Sequence, residues 1–191
     1  WYKLFPDHPA WHNFHNFVIP LSSSWLRRWR DNWIDRQVAR SAQGFVSVSR
    51  SCRDSLENRP SLQKVRREFI YNGITQIETR RESDLCAELS LANDSQIILM
   101  LGVYEPRKGH DFIIQVMEQV VEALPSAHLL ICGYGSKEEI QVVENLRLNS
   151  IVAKHIHLNE HRTDVHNLFA QTEVLVVPSQ SYESFGYTAL E

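Results

Sequence analysis

Two glutamates and one cationic loop are the residues of this chain whose types and spacing best suit chemistry. Glu183 stands directly before Ser184-Phe185-Gly186, where the sequence predicts a helix start, and Glu191 follows it by eight positions. Eight residues of helix make about two turns, placing both carboxylates on one side roughly 12 Å apart along the axis. Such a pair brackets an elongated polyhydroxyl ligand. Carboxylates accept hydrogen bonds from sugar hydroxyls or a ribose diol, and free N–H groups of Ser184 to Tyr187 would hold a diphosphate between them. By spacing alone two glutamates eight apart are common, and an exposed charged helix face is the more frequent cause.

The cationic loop reads Gly102-Val103-Tyr104-Glu105-Pro106-Arg107-Lys108-Gly109. A glycine stands where backbone would approach a ligand, and two cations precede a helix, so charge and free N–H groups together suit a phosphate or diphosphate. The alternative is a solvated turn in which Arg107 and Lys108 face water.

Nine histidines include the ligand-like spacings His155/His157 and His157/His161, but no third Cys, His or Asp completes a set, so packing is the expected role and no metal site is expected. Trp25, Trp29 and Trp33 lie among Arg27, Arg28, Arg30, Arg36 and Arg40. That composition suits a peripheral contact with anionic lipid over Trp25 to Arg40, or else an amphipathic helix packed on a sheet.

Bulk properties narrow the partners. A net charge of −3 over 191 residues lacks the basic excess of a nucleic-acid binder. Cys52, Cys86 and Cys132 are odd in number and widely spaced, as expected for reduced thiols in a cytoplasmic protein without disulfides or structural zinc. No run approaches the roughly 18 to 20 apolar residues of a membrane span, and the first residues lack the order of a signal peptide. Both ends read as cuts in a longer protein.

The elements that would position these groups change character near Asn72. Before it, a helix is expected over Ser22 to Ala42 with Gly44 as its stop, then a strand at Phe45 to Val48, a helix over Ser49 to Asn58 capped by Ser51, and a strand at Glu68 to Tyr71. After it, strands at Ile97 to Leu101, Leu129 to Cys132, His155 to Leu158 and Val174 to Val177 alternate with helices ending at Pro125, spanning Lys137 to about Leu148, and spanning Thr163 to Ala170. This alternation predicts right-handed βαβ units and an open parallel sheet, with ligands outside the carboxyl ends of its strands.

Taken together, Gly102, Arg107-Lys108-Gly109, Cys132-Gly133-Tyr134-Gly135 and Pro178-Ser179-x3-Glu183-Ser184-Phe185-Gly186-x4-Glu191 resemble the C-terminal domain of family 4 glycosyltransferases and its E-x7-E motif. Val46-Ser47-Val48-Ser49 and Tyr71-Asn72-Gly73-Ile74 resemble the end of that family's N-domain and its interdomain crossing.

The resemblance implies a Rossmann-like, two-lobed GT-B fold of class α/β, with 1–72 from the acceptor-side lobe and 73–191 an incomplete donor lobe. It implies retaining transfer of a sugar from a nucleotide-diphosphate sugar to a carbohydrate, lipid-linked or small-molecule acceptor, without metal or other cofactor. Carried over, Lys108 would stabilise the leaving diphosphate and Glu183 would hold the transferred sugar. Glu191 would hold the ribose, and Gly102, Arg107, Ser184, Phe185, Gly186 and Tyr187 complete the expected donor site. Val103 departs from the family, which often has Arg there; Arg107 is the expected substitute. The fragment by itself would be inactive. The rival readings are a non-catalytic nucleotide- or phosphate-binding α/β module and a flavodoxin-like interaction domain.

Overall fold

The computed structural model describes residues 10–76 and 78–190, which divide into two compact units. The first comprises 10–74 and Tyr182–Gly186, and the second 75–181 and 187–190.

In the first unit three strands, β1 (Trp11–Phe14), β2 (Gly44–Ser47) and β3 (Arg66–Phe69), pair in parallel in the order β1-β2-β3. Phe45, Leu56 and Leu62 form the core beneath them. Helix α1 spans Trp25–Ser41 and ends at Ala42, so Gly44 opens β2 instead of stopping the helix. The ring of Trp11 explains the glycine, because a Cβ at Gly44 would meet it at 2.5 Å. Helix α2 (Arg50–Ser55) is capped by Ser49, whose hydroxyl accepts from the Cys52 N–H at 3.1 Å; Ser51, expected as the cap, already lies in the first turn.

The second unit is a parallel sheet of β4 (Gln96–Leu101), β5 (Ala127–Cys132), β6 (Ile156–Asn159) and β7 (Val174–Leu175), in the order β6-β5-β4-β7. Apolar residues fill both faces. Leu129 and Ile131 pack with Met117 of α4 (His110–Ala123) and Val143 of α5 (Lys137–Asn149), while Leu99 and Leu130 pack with Leu85 of α3 (Leu85–Glu88) and Leu168 of α6 (Val165–Phe169). Double coverage of this kind explains why β4 and β5 read as unbroken apolar runs. Helix α5 opens with a reciprocal cap between Ser136 and Glu139.

His155 belongs to a 3-10 turn ahead of β6, so it does not alternate with His157 along one strand. It stacks on His128 at 4.7 Å between ring centroids, and His128 Nδ1 lies 3.2 Å from His157 Nε2. Burial, and then the neighbouring His155 and His157, lower His128 from 6.5 to about 4. The folded chain therefore resists a proton that the unfolded chain takes up, and stability present above pH 6.5 is lost as pH falls towards about 4. His128→Phe is expected to flatten this acid loss by on the order of 1 kcal/mol, given partial exposure of the ring. Urea unfolding midpoints at pH 7 and pH 5 for both proteins check this; parallel losses would contradict it.

Candidate functional site

Strand order locates a site in the second unit. From β4 the chain moves outward through β5 and β6, then returns to place β7 on the other side of β4. The direction of winding thus switches between β4 and β7, and open parallel sheets bind ligands at the carboxyl ends of their strands beside such a switch.

After β4 the chain passes through a 3-10 turn, Pro106–Lys108, to Gly109, whose left-handed φ of 79° starts α4. The loop after β7 packs tightly against this turn. A Cβ at Gly109 would lie 2.1 Å from the Pro178 carbonyl oxygen, and the Gln180 N–H donates to the Arg107 carbonyl at 2.9 Å. Close approach also joins the loops after β4 and β5: the Gly102 N–H donates to the Cys132 carbonyl at 3.1 Å, and a Cβ at Gly133 would sit 1.7 Å from the Gly102 oxygen. The glycine required by space is therefore Gly133. A Cβ at Gly102 would make only ordinary contact with the Lys108 stem, at 3.9 Å.

The loops after β4, β5 and β6 enclose a cleft of about 340 Å³ lined by Gly102, Lys108, Gly133, Tyr134, Arg162 and Thr188, among others. Lys108 lays its methylenes over Gly102 at its edge. Arg107 also lines the cleft, with its Nε 2.6 Å from Glu105 Oε2. Cys132 lies at the cleft floor, where burial pushes its thiol up to about 12 and keeps it protonated.

Sequence reasoning passed over Arg162, and it named Tyr134 only within the Cys132-Gly133-Tyr134-Gly135 motif. Arg162 lies in the loop after β6, gripped by both oxygens of Asp164 at 2.9 and 2.5 Å and by Glu88 at 2.7 Å. The Arg162 bonds hold the Asp164 carboxyl far below the ordinary range, so this cation is fixed in place across the accessible pH range. Its only advance signal is its position at a strand's carboxyl end. Tyr134 meets His161 edge-on at 5.9 Å.

Glu183, Ser184 and Phe185 belong to the first unit, where they line a cleft of about 700 Å³ with Arg50, Asn58 and Tyr71. Ser184 is anchored there. Its hydroxyl accepts from the Phe17 N–H at 3.2 Å, and its carbonyl accepts from the Ser49 hydroxyl at 2.6 Å and the Cys52 thiol at 3.5 Å. Tyr182 stacks on Phe17 at 4.9 Å. The continuous helix expected to start at Ser184 and carry both glutamates does not form from that point: Gly186 has φ 79° and α7 spans only Tyr187–Leu190. Glu183 is therefore off the helix, in a loop held by Ser184, and the two-turn geometry does not apply; Glu191 lies outside the described residues.

Among the described residues no group of three His, Cys, Asp or Glu side chains is arranged to hold a metal ion, and no helix is long and apolar enough to cross a membrane.

Residues 83–191 match the family model described as glycosyl transferases group 1. Over 117 residues the chain is 26% identical to D-inositol 3-phosphate glycosyltransferase of Segniliparus rotundus, covering 55% of this chain and 24% of that protein. Over 157 residues it is 28% identical to an uncharacterised glycosyltransferase of Methanocaldococcus jannaschii, covering 76% and 38%. The chain thus spans well under half of these curated relatives. Its fold resembles sucrose-phosphate synthase from Thermosynechococcus elongatus, with TM-score 0.75, 20% identity and coverage of 99% and 49%. It also resembles Anabaena HepE in complex with UDP and glucose, with TM-score 0.73, 17% identity and coverage of 97% and 50%.

Proposed function

The chain belongs to the glycosyl transferases group 1 family, its fold is of the GT-B type, and from that premise we propose that the full-length protein transfers a sugar from a nucleotide-diphosphate sugar to a carbohydrate, lipid-linked or small-molecule acceptor with retention of anomeric configuration. The observation that carries the reading is Lys108, set over Gly102 at the mouth of a cleft formed by the strand ends of the matched region. A fixed cation there stabilises charge growing on a departing diphosphate better than water does, because its orientation is set before the reaction.

We assign the chain to family 4 and the E-x7-E motif to Glu183 and Glu191. In this reading Glu183 holds hydroxyls of the transferred sugar and Glu191 the ribose, while backbone groups of Phe185 and Gly186 orient sugar and phosphate. Gly102, Arg107 and Tyr187 belong to the donor site, and Ser184 serves as the anchor of the Glu183 loop through its bonds to Phe17, Ser49 and Cys52. Leaving-group stabilisation by Lys108 makes a metal unnecessary. The donor class draws support from HepE, whose structure holds UDP and glucose.

The competing reading, a nucleotide-binding module without catalysis, separates in one assay. Full-length protein incubated with a panel of nucleotide-diphosphate sugars is expected to release nucleoside diphosphate slowly by donor hydrolysis. Saturable donor binding with no release would establish the module instead.

A further inference from the structure

Helix α1 carries its aromatic residues outward, while Val38 and Ala39 on its inner side pack against the core of the unit. Trp25, Trp29, Trp33, Arg36 and Arg40 follow one another at four- and three-residue steps and so form a single stripe along the helix. The three indoles are 74%, 69% and 55% exposed. The opposite face turns polar groups inward: Asp35 makes a bidentate pair with Arg59 at 2.7 and 3.0 Å, and Asn32 accepts from Ser61 at 2.8 Å. The Trp stripe is therefore not the face packed on the unit; α1 meets the core through Val38 and Ala39. Over the residues of this chain the three indoles lie uncovered, and an aromatic stripe of this kind suits a docking surface.

At the carboxyl end of the stripe Arg36 and Arg40 enter a cleft of about 560 Å³ whose other cations are Lys64 and Arg66. No acidic side chain lines it, and among the described residues Arg36, Arg40 and Lys64 form no ion pair. Aromatic rings with polar edges favour the boundary between lipid headgroup and acyl chain, and arginines beside them attract anionic headgroups.

We propose that the α1 stripe and its basic cleft dock the protein on an anionic lipid bilayer, with the indoles seated at the interface and the cleft receiving a phosphate-bearing headgroup. The glycosyltransferase reading is not needed for this surface to work.

The test is flotation of full-length protein with vesicles of phosphatidylcholine, with and without phosphatidylglycerol. Wild-type protein is expected to float only with the anionic vesicles and to be released by raised salt. Combined Arg36→Gln, Arg40→Gln and Lys64→Gln should weaken binding roughly 100-fold. Combined Trp25→Ser, Trp29→Ser and Trp33→Ser should abolish flotation. Both sets alter exposed positions, so circular dichroism and donor hydrolysis should match wild type. Absence of flotation with anionic vesicles, equal flotation with pure phosphatidylcholine, or unchanged flotation of either variant would overturn the proposal. A dimer lost in the Trp variant without any lipid binding would do so too, by assigning the surface to a second copy.

Discussion

Lys108→Ala in the full-length protein is expected to lower sugar transfer about 10²- to 10³-fold while the unfolding transition stays where it is. The argument begins with position. Lys108 ends the 3-10 turn after β4, its stem crosses Gly102, and it borders the cleft at the strand ends. A charge so placed matters most when the leaving diphosphate develops its own, so the loss should fall mainly on kcat and be only partly recovered by Lys108→Arg, whose planar fork spreads the charge. The side chain is half-buried at the cleft edge with its stem over Gly102, outside the core clusters, so its truncation should leave the fold intact. Initial rates of nucleoside diphosphate release, with thermal unfolding alongside, check both halves. Near wild-type turnover in a folded variant would remove Lys108 from the mechanism.

The second large effect falls on the backbone that shapes the same cleft. Gly133→Ala would drive a methyl group to 1.7 Å from the Gly102 oxygen, and Gly109→Ala would bring one to 2.1 Å from the Pro178 oxygen at a left-handed φ of 79°. Backbone cannot rotate away as a flexible side chain does, so each is expected to cost about 3 kcal/mol. Gly186 provides the control. It shares a φ of 79° but would place its methyl in open space, so Gly186→Ala should show the conformational strain alone, about 1 kcal/mol. Urea midpoints for the three variants measure the order. Equal losses at Gly109 and Gly186 would mean that conformation, not overlap, makes glycine necessary at Gly109, and a small loss at Gly133, whose φ is not left-handed, would contradict the overlap there.

What the sequence made readable follows from where each signal originates. Strands β4 and β5 are covered on both faces and so appear as continuous apolar runs, and α4 carries its buried side chains at helical spacing. Other elements lacked such a signal. Strand β1 is Trp-His-Asn-Phe at a sheet edge, α3 is four residues long, and β7 forms over only two of the four residues expected. The cationic loop was found because topology alone directs attention to strand ends. Arg162 sits at such an end but needed its distant partner Glu88 to become recognisable as a fixed charge. The Glu183 segment misled in a specific way. Local pattern suggested a helix starting at Ser184, whereas the conformation is set by Phe17, Ser49 and Cys52, more than 130 positions away. Gly186, read as part of that start, is instead the left-handed residue just before a shorter one.

The central claim, sugar transfer with retained configuration, is most directly tested by proton NMR of the anomeric centre during turnover of the full-length protein on a donor that the hydrolysis panel identifies. The first-formed product is expected to show the same anomeric coupling as the donor sugar. An inverted coupling, or no product bond formed by folded protein with donor and acceptor bound, would contradict it.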